Sequence, residues 1–312
     1  MRLVFLGTPA FAVPTLERLA AAGHEIVTVI TQPDRPRGRG QNAAAPPVKE
    51  AAERLGLVVY QPERVRRPEA VERLRGLAPE AMVVVGYGQI IPQSVIDIPP
   101  LGILNVHASL LPKYRGAGPI QWAIINGETR TGVTIMRIDA GLDTGDMLLK
   151  AETEIGPEED AVELGRRLAA MGADLLVKAL DGFAAGRIVP EKQDNEQATY
   201  APLLKKEDGI IDWSQPAAAI HNRIRGLQPW PGAHTGFRGQ TLHVWKSRLA
   251  AEHGGTAPGT VVAVKPLTVA CGASALELVE VQMEGRKRLA AAEFVNGQRL
   301  KEGEMLALSP EL

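Results

Sequence analysis

The densest run of polar side chains in this 312-residue sequence is Leu104-Asn105-Val106-His107-Ala108-Ser109. Asn105 and His107 stand two apart, so on a β-strand both side chains leave from one face. A carboxamide N–H and an imidazolium N–H are both donors, and two donors aimed at one point can hold an oxyanion as it develops. A lone histidine is more often a satisfied structural residue. What distinguishes this one is the neighbouring asparagine and the Gly/Pro-rich continuation through Pro112 and Gly116. Downstream, Asp139-Ala140-Gly141-Leu142-Asp143-Thr144-Gly145-Asp146 carries three carboxylates in a glycine-rich loop. The plain reading of that loop is a solvated turn or a cation loop, but its spacing is not that of an EF-hand and no Glu stands at the twelfth position. A carboxylate brought beside His107 favours the charged ring. No cysteine or activated serine accompanies the group, and nothing marks Ser109 as a nucleophile. The chemistry that fits is direct attack of a substrate amine on an acyl-type carbon, without a covalent enzyme intermediate. No other His or Cys stands at ligand spacing from His107, so no metal is expected.

Such residues need elements to hold them. The first half alternates short apolar runs, at 3–6, 25–30, 57–59, 81–85 and 103–106, with helical spacing at 9–22, 48–55 and 68–77. That alternation predicts βαβ units and a parallel sheet. The runs are apolar on both faces, as strands covered on both sides are. Asn105 and His107 then fall at the carboxyl end of a strand, where α/β sheets bind ligands. Strands are expected at 132–138 and 146–155 on either side of the Asp/Gly loop, and a long helix at 159–183. The first βα turn, Gly7-Thr8-Pro9, is followed by no glycine until Gly23, so the dinucleotide fingerprint is absent and a nicotinamide enzyme is not expected. Residues 187–199 are polar and aperiodic. Beyond 204 come short strands at 241–245, 259–264, 267–271 and 276–283, separated by Gly/Pro turns, a pattern that resembles a small antiparallel barrel. The division expected is a catalytic domain over 1–189, a linker over 190–203 and a C-terminal barrel over 204–312.

Composition narrows the classes further. The chain has 45% apolar and 23% charged residues, with 32 Gly and 23 Pro, so it is globular and rich in turns. Aromatics are only 4%, which argues against a base-stacking surface of the single-strand-binding kind. The net charge of −1 excludes a strongly basic, non-specific nucleic-acid binder but allows local patches. Two stand out: Arg35, Arg37, Arg39 and Lys49, in a stretch with no acidic residue, and Arg286-Lys287-Arg288. Read plainly, the first is a solvated charged turn. The single cysteine, Cys271, rules out an internal disulfide and reads as a small core residue. The apolar start at 3–6 is too short for a signal peptide and no run approaches 18 residues, so a soluble, cytoplasmic protein is expected.

At this point the motifs carry a resemblance. Asn105-Val106-His107-Ala108-Ser109-Leu110-Leu111-Pro112-Lys113-Tyr114-Arg115-Gly116 resembles the signature of the 10-formyltetrahydrofolate-dependent formyltransferases, and Gly132-Val133-Thr134 with 139–145 resembles their second signature. The resemblance covers nearly the whole chain and is weakest over 250–312. It implies an α/β protein, a Rossmann-like parallel-sheet formyltransferase domain followed by a small OB-like β-barrel. It implies catalytic roles for Asn105, His107 and Asp143. It also implies folate contacts from Ser109, Leu110, Leu111 and Pro112, and from Tyr87, Gly88 and Ile90 in the loop near the pterin. 10-Formyltetrahydrofolate is then a cosubstrate, with no tightly bound cofactor. The length, the segment Thr31-Gln32-Pro33-Asp34-Arg35-Pro36-Arg37-Gly38-Arg39-Gly40, and the tail around Asp212-Trp213 and Gln228-Pro229-Trp230-Pro231 resemble the branch whose acceptor is methionyl initiator tRNA. Arg35, Arg37, Arg39 and Lys49 become the expected tRNA contacts, although an uncharged residue often stands where this chain has Arg37. A monomer without membrane contact is expected. The alternative is a formyltransferase acting on an amino-sugar nucleotide, which has no reason for an acid-free arginine segment.

Overall fold

The computed structural model describes residues 1–37, 42–250 and 255–307, without the side chains of residues 36, 37, 42 and 43. Two compact units emerge: residues 1–119, 131–153 and 165–201 form the first, and 120–130, 154–164 and 202–312 the second. In chain order the elements of the first half are β1 (Arg2–Gly7), α1 (Val13–Ala21), β2 (Glu25–Ile30), β3 (Arg35–Arg37), β4 (Asn42–Ala44), α2 (Pro47–Arg54), β5 (Val59–Tyr60), α3 (Pro68–Gly76), β6 (Ala81–Val85), α4 (Gln93–Ile96), β7 (Ile103–His107), α5 (Pro119–Ile125), β8 (Arg130–Arg137), β9 (Met147–Glu154) and α6 (Ala161–Ala184).

Seven strands form one sheet in the order β5-β2-β1-β6-β7-β8-β9. It is parallel from β5 to β7, and β8 returns antiparallel to β7. The parallel strands are the non-alternating apolar runs of the sequence. Leu3, Val4, Phe5 and Leu6 of β1, and every residue of β6, are buried, as expected where both faces are covered. β7, between β6 and β8, is buried along its whole length. The segment 190–201, expected as linker, goes with the first unit. Glu191 and Met147 exchange two backbone hydrogen bonds of 2.8 Å, and Arg115 N–H donates to the Thr199 carbonyl at 2.8 Å while its own carbonyl accepts from Ala201 N–H at 2.7 Å.

The second unit adds α7 (Ala217–Gly226), β10 (Ala233–Phe237), β11 (Gln240–Ala250), β12 (Val261–Val264), β13 (Leu267–Ala270), β14 (Ala275–Met283), β15 (Leu289–Ala290) and α8 (Ala291–Gln298). Its antiparallel sheet runs β10-β11-β14-β13-β12, with β15 on β14, as a small barrel would be built. Leu242 and Val244 of β11 and Leu276, Leu278 and Val281 of β14 face inward and pack with Trp213 and Phe294. Residues 120–130 and 154–164 belong here although the sequence pattern assigned them to the catalytic half. They are tied in by the Trp122 indole N–H to the Pro202 carbonyl (2.8 Å) and by Arg225 to the carbonyls of Gly156 and Glu159 (3.1 and 2.9 Å). Cys271 lies in this core, and burial pushes its thiol up to about 12. None of the described helices is long and apolar enough to cross a membrane.

Candidate active site

Strand β7 delivers Asn105 and His107 to one face, as their spacing requires. Asn105 stands opposite Met136 and His107 opposite Thr134 of β8. Both are nearly buried, Asn105 9% and His107 5% exposed. Beyond His107 the chain turns irregularly, and its turns are pinned. The Ser109 hydroxyl donates to the Lys113 carbonyl at 2.6 Å. Thr134 Oγ1 donates to the Ser109 carbonyl at 2.7 Å and accepts from Leu111 N–H at 3.1 Å. Tyr114, with φ +60, presents its carbonyl to His107 Nε2 at 2.9 Å.

That last contact fixes the ring. A carbonyl only accepts, so Nε2 carries a hydrogen. A second ring donor therefore exists only at Nδ1, and only in the doubly protonated imidazolium. Asp143 Oδ2 lies 3.7 Å from Nδ1. This is too long for a hydrogen bond. Nδ1 has no hydrogen-bond partner among the described residues. Asp143 sits in the β8–β9 loop with φ +51, and its Oδ2 accepts from Gly116 N–H at 2.8 Å. Gly116 has φ +118, and a Cβ there would lie 2.7 Å from the Ala201 carbonyl oxygen, so only glycine keeps this N–H in place. Among the described residues none hydrogen-bonds the Asn105 amide, which leaves its N–H group to a ligand.

The residues expected to touch folate are placed less uniformly. Tyr87 turns its ring into the core with Leu6, Ile30, Leu74 and Ile103. Its hydroxyl is buried without a partner among the described residues, and burial, with Tyr60 nearby, pushes it up to about 12. Its carbonyl accepts from Thr8 Oγ1 at 3.0 Å and Gln32 Nε2 at 3.1 Å. Ser109 is buried, and Leu111 packs with Met136 and Met147. Tyr87, Ser109 and Leu111 are each at most 1% exposed. Ile90 is 92% exposed, beside Gly88 with φ +83, and offers an apolar surface at the loop tip. Leu110 and Pro112 are half-buried.

The basic segment, read as an irregular turn, is two short antiparallel strands, with Arg35 opposite Ala44 and Arg37 opposite Asn42. Arg35 pairs with Glu63 at 3.2 Å on the surface, and Lys49 Nζ reaches Asp34 Oδ2 at 2.7 Å. Hydrogen bonds from Gln61, then Lys49, hold the Asp34 carboxyl below the usual range. The Arg37 side chain and the whole of Arg39 lie outside the described residues. One residue that the pattern gave no reason to select also belongs to the site. Gln193, from the supposed linker, donates its amide to the carbonyls of Asp143 and Gly145, both at 2.8 Å.

The comparisons with known proteins give the class to which this mixed sheet and its strand-end Asn–His pair belong, a formyl transferase. The formyl transferase family model matches residues 1–180, and the formyl transferase C-terminal domain matches 203–299. The chain is 74% identical over 306 residues to the methionyl-tRNA formyltransferase of Solibacter usitatus, covering 98% of each chain. It is 52% identical over 308 residues to that of Citrifermentans bemidjiense, covering 98% of this chain and 96% of the other. It therefore belongs to the methionyl-tRNA formyltransferase family. Among solved structures, HypX from Aquifex aeolicus in complex with tetrahydrofolic acid superposes with a TM-score of 0.66 at 17% identity. That match covers 99% of this chain, which spans about half of HypX (51%), and shows a shared fold.

Proposed function

We infer that the enzyme transfers the formyl group of 10-formyltetrahydrofolate to the amino group of methionyl initiator tRNA, giving N-formylmethionyl-tRNA. The observation that carries the mechanism is the single orientation left to His107, whose free Nδ1 faces Asp143 at 3.7 Å beside the unpartnered Asn105 amide. The amine of the methionyl group attacks the formyl carbon. The Asn105 amide and His107 Nδ1–H hold the tetrahedral oxyanion. Asp143 stabilises the imidazolium and relays the proton, through water, from the attacking nitrogen toward N10 of the folate. The C–N10 bond then breaks, N10 leaves protonated and the formamide carbonyl reforms. The proposed enzyme is a cytoplasmic monomer, a reading in keeping with its tRNA substrate.

Folate lies along the 109–112 turn and under the 87–90 loop, held by main-chain groups and by the apolar surfaces of Leu110, Pro112 and Ile90. Arg35, Arg37, Arg39 and Lys49 contact acceptor-end phosphates or base edges. The second unit, with Arg286-Lys287-Arg288, holds the acceptor arm, which is far larger than the catalytic cleft. The test is incubation with labelled 10-formyltetrahydrofolate and either methionyl initiator tRNA or an amino-sugar nucleotide. Label is expected on the tRNA alone; label on the sugar nucleotide alone would replace the acceptor assignment.

A further inference from the structure

Arg115 is a buried guanidinium, 3% exposed, whose side-chain hydrogen-bond partners among the described residues are neutral. Its Nε and one terminal nitrogen donate to Gln193 Oε1 at 3.0 and 2.7 Å, and the latter nitrogen also donates to Asn195 Oδ1 at 2.8 Å. Burying a charge without a counter-ion is costly, so the arrangement calls for a purpose. Arginine has donors only. Its fork therefore dictates which end of the Gln193 amide faces it, the oxygen, and sends the NH2 end the other way. There the amide meets the carbonyls of Asp143 and Gly145. Both donors of the amide are used, one on the catalytic carboxylate's own residue and one two residues on. Asp143 holds a left-handed backbone conformation unusual for a non-glycine residue, which persists only where its surroundings enforce it.

We propose that Gln193, oriented by the buried Arg115, is a positioning residue that locks the Asp143 backbone so that its carboxylate stands at His107 Nδ1 and Gly116 N–H. This deepens the mechanism above and rests on the role given there to Asp143. Misplacing a reacting group by about 1 Å can cost on the order of 10²-fold in rate, so Gln193 matters for kcat although it touches neither substrate.

Two variants separate positioning from scaffolding. Gln193→Glu keeps an acceptor for Arg115 and removes the donors to the loop; Gln193→Met removes both ends at similar length. Each is compared with wild type for kcat, for KM of both substrates and for the thermal midpoint, alone and combined with Asp143→Asn. Gln193→Glu is expected to lower kcat about 10- to 100-fold, with the folate KM within about threefold and the midpoint nearly unchanged. In the Asp143→Asn background either Gln193 change is expected to alter kcat by less than about threefold, because residues acting through one group do not add. Should Gln193→Met fail to fold, the Gln193→Glu pair of measurements decides alone. Wild-type kcat in Gln193→Glu would overturn the proposal, as would losses that multiply in the double variants. Wild-type kcat in Asp143→Asn alone would instead remove the role of Asp143, and with it the basis of the proposal.

Discussion

At the end of β7 the His107 ring, the Asp143 carboxylate and the turn beyond them are held by hydrogen bonds, with the Asn105 amide left open, whereas around the basic strands β3 and β4 the described cations are held by ion pairs. His107 is oriented by the Tyr114 carbonyl and Asp143 by Gly116 N–H, with the surrounding turn fixed by Thr134 and Ser109. Arg35, by contrast, is tied only to Glu63 on the surface. Under the proposed function, the difference follows from what each region would do. Stabilising charge that exists only in a transition state demands donors fixed in advance in a water-poor site. Meeting the phosphates of a large, mobile polyanion demands reach and positive charge, and rigidity adds little there. Exposed pairs such as Arg35–Glu63 contribute about 0–1 kcal/mol to the fold, so their arginines are free to exchange partners.

The comparison can be broken at its rigid end first. His107→Ala is expected to lower kcat by about 10²–10⁴-fold, the usual worth of a positioned acid–base group, while tetrahydrofolate affinity measured by titration stays within a few-fold. Asn105→Ala is expected to cost about 10²–10³-fold in kcat, the loss of one oxyanion donor. Comparable loss of folate affinity in either variant would mean that these side chains bind the ground state.

Backbone changes sharpen the same point. A Cβ at Gly145 would collide with the Arg137 carbonyl oxygen, so Gly145→Ala must displace the loop that carries Asp143. A loss of about 10²-fold in kcat is expected, measured beside thermal unfolding to separate the local shift from a global one. A variant with unchanged kcat would show that the loop tolerates movement and is not rigid in the sense argued here.

The smallest effect belongs to the basic strands. Arg35→Ala is expected to change stability by no more than about 0.5 kcal/mol and to flatten the dependence of log affinity for tRNA on log salt by about one unit. Folate affinity should not move. A drop in thermal midpoint of several degrees would make Arg35 a structural residue and erase the contrast between the two regions.

Which parts of this were readable from the sequence follows from where local pattern decides structure. The runs at 25–30 and 81–85 coincide with β2 and β6, because a strand covered on both faces is largely apolar. The same-face placement of Asn105 and His107 needed only the two-residue period of a strand. Past His107 that period stops, so nothing local says that Ser109 and Leu111 turn inward or that the Tyr87 ring enters the core. Asp143 reaches His107 only because of its left-handed backbone and the Gly116 N–H, both fixed by tertiary contacts. Gln193 lies fifty residues from the carbonyl it holds, in a stretch whose lack of period suggested a linker. The strands at Arg35–Arg37 and Asn42–Ala44 were hidden by Pro36 and the nearby glycines, which read as a turn. Helices α7 and α8 carried too few periodic apolar residues to be recognised.

The most direct test of the central account is the single-turnover rate of formyl transfer to methionyl initiator tRNA, at saturating folate, in His107→Ala, Asp143→Asn and the double variant. If Asp143 works through the charged ring of His107, the double variant should fall within about threefold of the slower single variant, since groups acting as a unit do not add. Losses that multiply in the double variant would mean that the carboxylate and the imidazole act independently, contradicting the mechanism built on the 3.7 Å approach between them.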